Sequence, residues 1–173
     1  MSSNNNKDQG LQALRASTLL LSGLASGISL SYSALLVPRL LEAPVPVMLK
    51  QWRSAYAQGK KLVPLLSVFT SLGYWYLAAK SNKFSSHSNS NKLFGTAGAL
   101  TFGIVPYTLA WMWGVNKELT RREKEVSAMQ AEELTAESER SSKQLVDWWG
   151  VLNLGRSGMM ILGFGLGLAG VFI

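Results

Sequence analysis

The stretch WWGVLNLGRSGMMILGFGLGLAGVFI, residues 148–173, decides the fold. Its only charge is Arg156, and a bilayer's hydrocarbon core needs about 20 helical residues, so the segment reads as a membrane span. An arginine there costs about 2.5 to 3.5 kcal/mol even on the lower scales, so it must turn into protein or snorkel to the surface. Three blocks of the same kind precede it. Residues 16–37 are uncharged between Arg15 and Arg39, 62–79 lie between Lys61 and Lys80, and 93–116 lie between Lys92 and Lys117. A cleaved signal peptide competes for the first block, but 22 uncharged residues exceed a usual signal core and three spans follow, so it is read as a retained anchor. The expected fold is an all-α integral membrane four-helix bundle: an unordered tail over 1–10 and one four-span domain over 11–173.

Four spans put both termini on one side and the connections 38–61 and 117–147 on the other. These connections carry five and six Lys plus Arg, against two and three in the N-terminal tail and the 80–92 loop, so the positive-inside rule places them in the cytosol. With 47% hydrophobic and 16% charged residues in 173, a net charge of +7 is explained by basic span flanks. A basic stripe interleaved with aromatics, which nucleic-acid binding needs, is absent from the sequence. There is no cysteine and one histidine, His87, which sits in the polar tract SNKFSSHSNSN with no second ligand beside it, so no metal site is expected. The run 117–147 pairs Glu118 with Arg122 and Arg121 with Glu125 at i,i+4, the mark of an exposed helix extending the third span.

The first connection is more specific. Pro38, Pro44 and Pro46 stop the first helix, after which Leu49, Trp52 and Tyr56 recur at i, i+3 and i+7 as one face of an amphipathic helix. It suits either a lid in the headgroup plane or a plain interfacial anchor. Small residues recur within the spans at Gly23, Gly27 and Ser31, at Gly95 and Ala99, and at Gly163 and Gly167. Such faces let helices approach closely, within one bundle or between copies as a homo-oligomer.

Polarity within the spans carries the chemistry. Trp149, Asn153 and Arg156 fall at i, i+4 and i+7, one face of the fourth span, with Asp147 just ahead. The third span offers Thr108, Met112 and Asn116, beside Tyr107 and just after Pro106. Arg156 could be a structural partner for helix-end carbonyls or Asp147. An intramembrane arginine beside two asparagines is otherwise a functional site.

The strings PRLLEAPVPVMLKQWRSAYAQGKKLVP (38–64), VPYTLAWMWGVNKEL (105–119) and LVDWWGVLNLGRSGMMILGFGLGL (145–168) resemble the fungal anthrone oxygenase family of small four-span membrane proteins. The similarity runs from about Ser31 to Gly167. Its most specific pieces are PYT with an Asn eight residues after the Thr, Trp with Asn at +4 and Arg at +7, and QW with a Tyr four residues on. The resemblance implies oxidation of a polyketide anthrone by molecular oxygen, at its central methylene, to an anthraquinone. By position it singles out Trp52, Tyr56, Tyr107, Thr108, Asn116, Trp149, Asn153 and Arg156.

Composition then narrows the mechanism. One histidine and no cysteine leave no His- or Cys-held haem and no two-His iron site, and no dinucleotide fingerprint for flavin is present. A tyrosine-held haem or a partner's cofactor stays formally open; the expectation is that no cofactor is used. Loss of the activated methylene proton gives a delocalised anion that can itself reduce oxygen. Arg156, Asn153 and Asn116 are expected to stabilise the oxyanion. Trp149, Trp52 and Tyr107 would stack on the substrate, with Thr108 and Tyr56 beside them. Asp147 is the favoured base and Glu42 the alternative. A different class of function, a non-catalytic membrane carrier for an aromatic or lipid-like ligand, is the second reading. The expected location is the endoplasmic reticulum or another endomembrane.

Overall fold

The computed structural model describes residues 2–84, 89–128 and 135–173, and among these it is helical almost throughout, with no strand. Helix α1 spans Ser2–Ser31 and passes through a π-helical turn, Tyr32–Leu36, into α2, Val37–Glu42. Helix α3 runs Val45–Phe84. Helix α4, Ser90–Tyr107, passes through a second π-helical turn, Thr108–Met112, into α5, Trp113–Ala128. Helix α6 is Ala136–Phe172. Four continuous helical stretches, Asp8–Glu42, Val45–Ser81, Ser90–Ala128 and Ala136–Phe172, are long and apolar enough to cross a membrane, and the four blocks read from the sequence fall on them.

Several boundaries differ from expectation. Residues 2–10, read as an unordered tail, extend α1, because lengthening a formed helix adds a hydrogen bond per residue without a new nucleation cost. The amphipathic segment is not a separate helix: it forms the N-terminal part of α3, which continues through Pro64. Leu49 and Trp52 on its apolar face are fully buried and Tyr56 is half-buried. The charged run divides between two helices, α5 carrying the first part and α6 beginning at Ala136. His87 lies outside the described residues.

The chain separates into two compact units. The first comprises residues 1–27, 64–104 and 158–173. Its core is Tyr74, Leu77, Phe94 and Ala97, with the Tyr74 and Phe94 rings 6.3 Å apart. Around it the buried side chains are rich in hydroxyls: Ser22, Ser26, Ser67, Thr70, Ser71 and Thr101, with Ser67 Oγ donating to the Thr101 carbonyl at 2.5 Å. Leu20, Phe69, Leu72 and Leu162 are exposed. Polar inside and apolar outside is the arrangement lipid selects, since a hydroxyl facing acyl chains finds no partner.

Glycines set the close approaches here. A Cβ at Gly167 would collide with Tyr74, and one at Gly163 would stand 2.6 Å from Thr101 Oγ1. On the third span the tight positions are Gly98, against Trp75, and Gly103, against Met159, not Gly95, whose Cβ would meet nothing; Ala99 is exposed. Gly27 is likewise open.

The second unit comprises residues 28–63 and 105–157. Its core includes Leu40, Met48, Leu49, Trp52, Met112, Leu119, Val146 and Trp149. Trp111, Trp113 and Trp148 are exposed, as suits side chains at a membrane–water interface. Beyond the apolar stretch of the third span, Arg122 Nε bonds Glu118 at 2.9 Å and Arg121 pairs with both Glu118 and Glu125, the i,i+4 pattern expected. Arg122 also donates to Ser141 and Ser142 of α6 at 2.8 and 3.1 Å.

Two outcomes follow from this packing. Gly167→Val should destabilise the detergent-solubilised protein by about 1 to 3 kcal/mol through overpacking against Tyr74, whereas Gly165→Ala, which meets nothing within 4 Å, should leave the melting temperature unchanged. Hydrogen bonds from Arg121, then Arg122, hold the Glu118 carboxyl down at about 2. A depressed carboxyl contributes above its ordinary range and loses that contribution as pH falls through its folded value. The α5 helicity lost on acidification, read by circular dichroism as the difference between wild type and Glu118→Gln, should therefore develop progressively as pH falls below 4.5 and be complete near pH 2.

Candidate functional site

Two prolines shape the second unit locally. Pro38 has no N–H for the carbonyl of Ala34, and Pro106 has none for Phe102; each lies beside a π-helical turn, 32–36 and 108–112. The second turn has a geometric effect. In an unbroken α-helix Tyr107 and Asn116, nine residues apart, would point to opposite sides; one extra residue in a wide turn brings them within about a quarter turn of each other. Both then reach α6: Tyr107 donates its hydroxyl to the Leu152 carbonyl at 3.0 Å, and Asn116 Oδ1 accepts from Trp149 Nε1 at 2.9 Å.

Asn153 is the hub. It is fully buried, and its Nδ2 donates to the Ser29 carbonyl at 2.9 Å and to Ser33 Oγ at 2.8 Å, while its Oδ1 accepts from the Arg156 guanidinium. Ser33 Oγ donates in turn to the Gly150 carbonyl at 2.9 Å, and Ser157 joins Ser29 across a 2.9 Å hydroxyl pair. Each group of the amide thus has a partner that fixes its rotamer.

Arg156 is only 7% exposed, so its guanidinium is turned inward. Among the described residues it makes no ion pair, and its Nε has no acceptor. Its electrostatic neighbours are phenols, Tyr32 foremost, then Tyr107 and Tyr56. An aromatic cluster accompanies it: Trp52 stacks on Tyr56 with ring centres 5.0 Å apart and planes 8° from parallel, and meets Trp149 edge-on at 6.0 Å. Tyr32 meets Trp149 at 6.4 Å and 66°. The buried Trp52 Nε1 is a second donor without an acceptor among the described residues. Two donors left bare in a buried aromatic surround favour a ligand oxygen that carries negative charge.

Most of the residues singled out in the sequence therefore come together: Trp52, Tyr56, Tyr107, Asn116, Trp149, Asn153 and Arg156. Thr108, in the π-helical turn, is half-buried. The two carboxylates do not join them. Asp147 is exposed; nine residues from Arg156 is two and a half helical turns, which puts it on the opposite face of α6. It cannot serve as that cation's partner or as a base beside it. Glu42 is exposed and paired with Arg39 at 3.2 Å. The sequence reading had missed Tyr32, Ser29, Ser33 and Ser157. A signal for the first span existed, since Ser22, Ser26, Ser29 and Ser33 repeat at spacings of four, three and four, one helical face.

Comparison with known proteins bears on this arrangement. The family model described as anthrone oxygenase matches residues 52–166. Over 168 residues the chain is 34% identical to anthrone oxygenase encC of Aspergillus fumigatus, covering 91% of this chain and 90% of that one. It is 31% identical to anthrone oxygenase AgnL2 of Paecilomyces divaricatus, with coverage of 90% and 93%. It is 32% identical to monooxygenase hypC of Dothistroma septosporum, with 83% and 74% covered. No solved structure matches.

Asn153→Leu should strip three hydrogen bonds and leave the guanidinium without a partner, at a cost of about 3 kcal/mol, the range for breaking one side of a buried charged contact. Asn116→Leu, which orphans one indole N–H, should cost only about 1 to 2 kcal/mol. Melting curves of the two variants in the same detergent should rank them in that order.

Proposed function

The chain belongs to the anthrone oxygenase family, and from that premise we propose that it oxidises a polyketide anthrone at the central methylene to the anthraquinone with molecular oxygen, without a metal or organic cofactor. It is an oxygenase of polyketide biosynthesis. The carrier reading gives way to that. What supports the finer reading is one observation above others: the buried Arg156, held by Asn153, with an Nε that has no acceptor and no carboxylate paired to it among the described residues.

The chemistry follows from where charge develops. Removing a methylene proton sends the electron pair through the rings to the substrate carbonyl oxygen, so the anion needs a fixed positive charge at that oxygen. A guanidinium already neutralised by Asp or Glu would offer little; Arg156 is positioned but uncompensated. Trp52 Nε1 is a second buried donor without an acceptor among the described residues, which we assign to the same oxygen, with Trp149 and Trp52 as the flat apolar surface beside it. Burial strengthens each of these interactions because no water competes. The anion then passes electrons to oxygen and combines with it, and loss of water leaves the quinone carbonyl. Methylene carbon is oxidised by four electrons and dioxygen reduced by four, one oxygen atom entering the quinone and the other leaving as water.

Absence of a cofactor is supported by the donor set. The chain has no cysteine and one histidine, and no three metal-binding side chains gather among the described residues. We place the reaction in the endoplasmic reticulum or another endomembrane, where a flat lipid-soluble substrate would collect.

Arg156→Met should remain in the membrane, since an apolar side chain of similar length is tolerated where a buried charge stood. Its turnover should fall by about 100- to 1000-fold, the range for losing an oxyanion donor. Wild-type protein under labelled dioxygen should place one labelled atom in each quinone. Near wild-type turnover in Arg156→Met would remove the arginine from the mechanism.

A further inference from the structure

The first unit holds a groove that shares no residue with the site around Arg156. It lies between α1 and α3 and has a volume of about 1040 Å³. Leu11, Leu14, Thr18 and Leu21 recur at i, i+3, i+7 and i+10 and form one wall; Phe69, Leu72, Gly73 and Tyr76, at i, i+3, i+4 and i+7, form the other. The two helices meet where a Cβ at Gly73 would stand 2.5 Å from Thr18 Oγ1. Asp8 and Lys80 line the groove as well, so an apolar trough carries one charge of each sign.

The Gly73 contact fixes where those charges stand. These are consecutive spans running in opposite directions, so residues that precede Thr18 and residues that follow Gly73 lie toward the same end. At a rise of about 1.5 Å per residue, Lys80 is about 10 Å from the contact and Asp8 about 15 Å, with Phe69 about 6 Å away on the other side. The trough from Phe69 to Lys80 is thus about 16 Å long, close to one leaflet of a hydrocarbon core about 30 Å thick. Lys80 is half-buried, its ammonium 5.4 Å from the Tyr76 ring. Neither Lys80 nor Asp8 has an ion-pair partner among the described residues. From the inside outward the order is apolar wall, cation, anion.

We propose that this groove holds one molecule of phosphatidylethanolamine. An acyl chain lies between Leu14 and Leu21 of α1 and Phe69 and Leu72 of α3, Lys80 donates to the phosphate, and Asp8 accepts from the ammonium. That lipid carries its charges in the matching order, phosphate next to the glycerol and ammonium beyond it. Phosphatidylcholine has methyl groups where Asp8 needs an N–H, and phosphatidylserine would set a second carboxylate against it. Among acyl chains the apolar walls give no hydrophobic preference, since lipid tails are as apolar as leucine. Selectivity therefore rests on the two charges and on Tyr76, exposed at the headgroup end where tyrosine is favoured. A lipid seated there ties α1 to α3 and stabilises the first unit by mass action.

Delipidated full-length protein in detergent can be titrated with phosphatidylethanolamine or phosphatidylcholine of the same chains and followed by native mass spectrometry. Wild type should bind one phosphatidylethanolamine per chain, about 2- to 5-fold tighter than phosphatidylcholine, the range for an exposed ion pair. Asp8→Asn should erase that preference and leave phosphatidylcholine binding unchanged; because the preference is a ratio of two lipids on one protein, a change in overall stability cancels. Lys80→Gln should weaken both lipids by a similar factor. Ser17→Trp, which fills the groove from the exposed side of α1, should weaken both by about 10-fold or more. Equal affinity of wild type for the two lipids, or a preference that survives in Asp8→Asn, would overturn the assignment. So would a Ser17→Trp protein that keeps its lipid and turns from dimer to monomer in light scattering, which would give the groove to a second copy of the chain.

Discussion

The hydrogen bond from Arg156 to Asn153 is the constraint on which the site depends. It fixes a positive charge inside a membrane protein without cancelling it. A carboxylate in place of the asparagine would neutralise the cation and leave nothing for a developing anion. An apolar residue there would leave the guanidinium free to find the surface. The amide gives orientation without countercharge, and it is held in turn by the Ser29 carbonyl and Ser33. Preorganisation of this kind is what electrostatic catalysis requires, because the donor does not have to be reoriented when the charge appears.

The same logic explains why the spans carry so many serines and threonines. In lipid the exposed faces can be purely apolar, as Leu20, Phe69 and Leu162 are, so the sequence is free to spend polarity inside. In the first unit Ser26, Ser67 and Ser71 donate to backbone carbonyls, and Thr101 packs close against Gly163. In the second, serines of the first span serve a side chain of the fourth. A family of residues that would look unremarkable in a soluble loop thus has a defined task in each unit.

Much of this could be read in the sequence. The four apolar blocks and their basic flanks needed only the thickness of a bilayer, and the i, i+4, i+7 spacing of Trp149, Asn153 and Arg156 placed them on one face correctly. The base was misread because Asp147 was judged by nearness along the chain; counting turns to Arg156 would have put it on the far side. Tyr32 was missed for another reason. It lies in the span with the plainest composition, and its relation to the site depends on a π-helical turn and on the close approach of Gly59 to its ring, neither of which periodicity can express. The Gly95 and Ala99 pair shows the converse limit: small residues at close-packing spacing mark a face that could pack, while the face that does is set by the neighbours, here Gly98 against Trp75.

The central claim is that the second unit presents an uncompensated positive charge to an aromatic ligand's oxygen. The most direct measurement is the ionisation of a hydroxyanthraquinone, followed by the colour change of its anion, free in detergent micelles and bound to the protein. Bound to wild type, the transition should move to lower pH by about one unit or more, each unit corresponding to about 1.4 kcal/mol of preference for the anion, and Arg156→Met should abolish the shift. A transition that stays where it is in micelles, or moves to higher pH, would contradict the account.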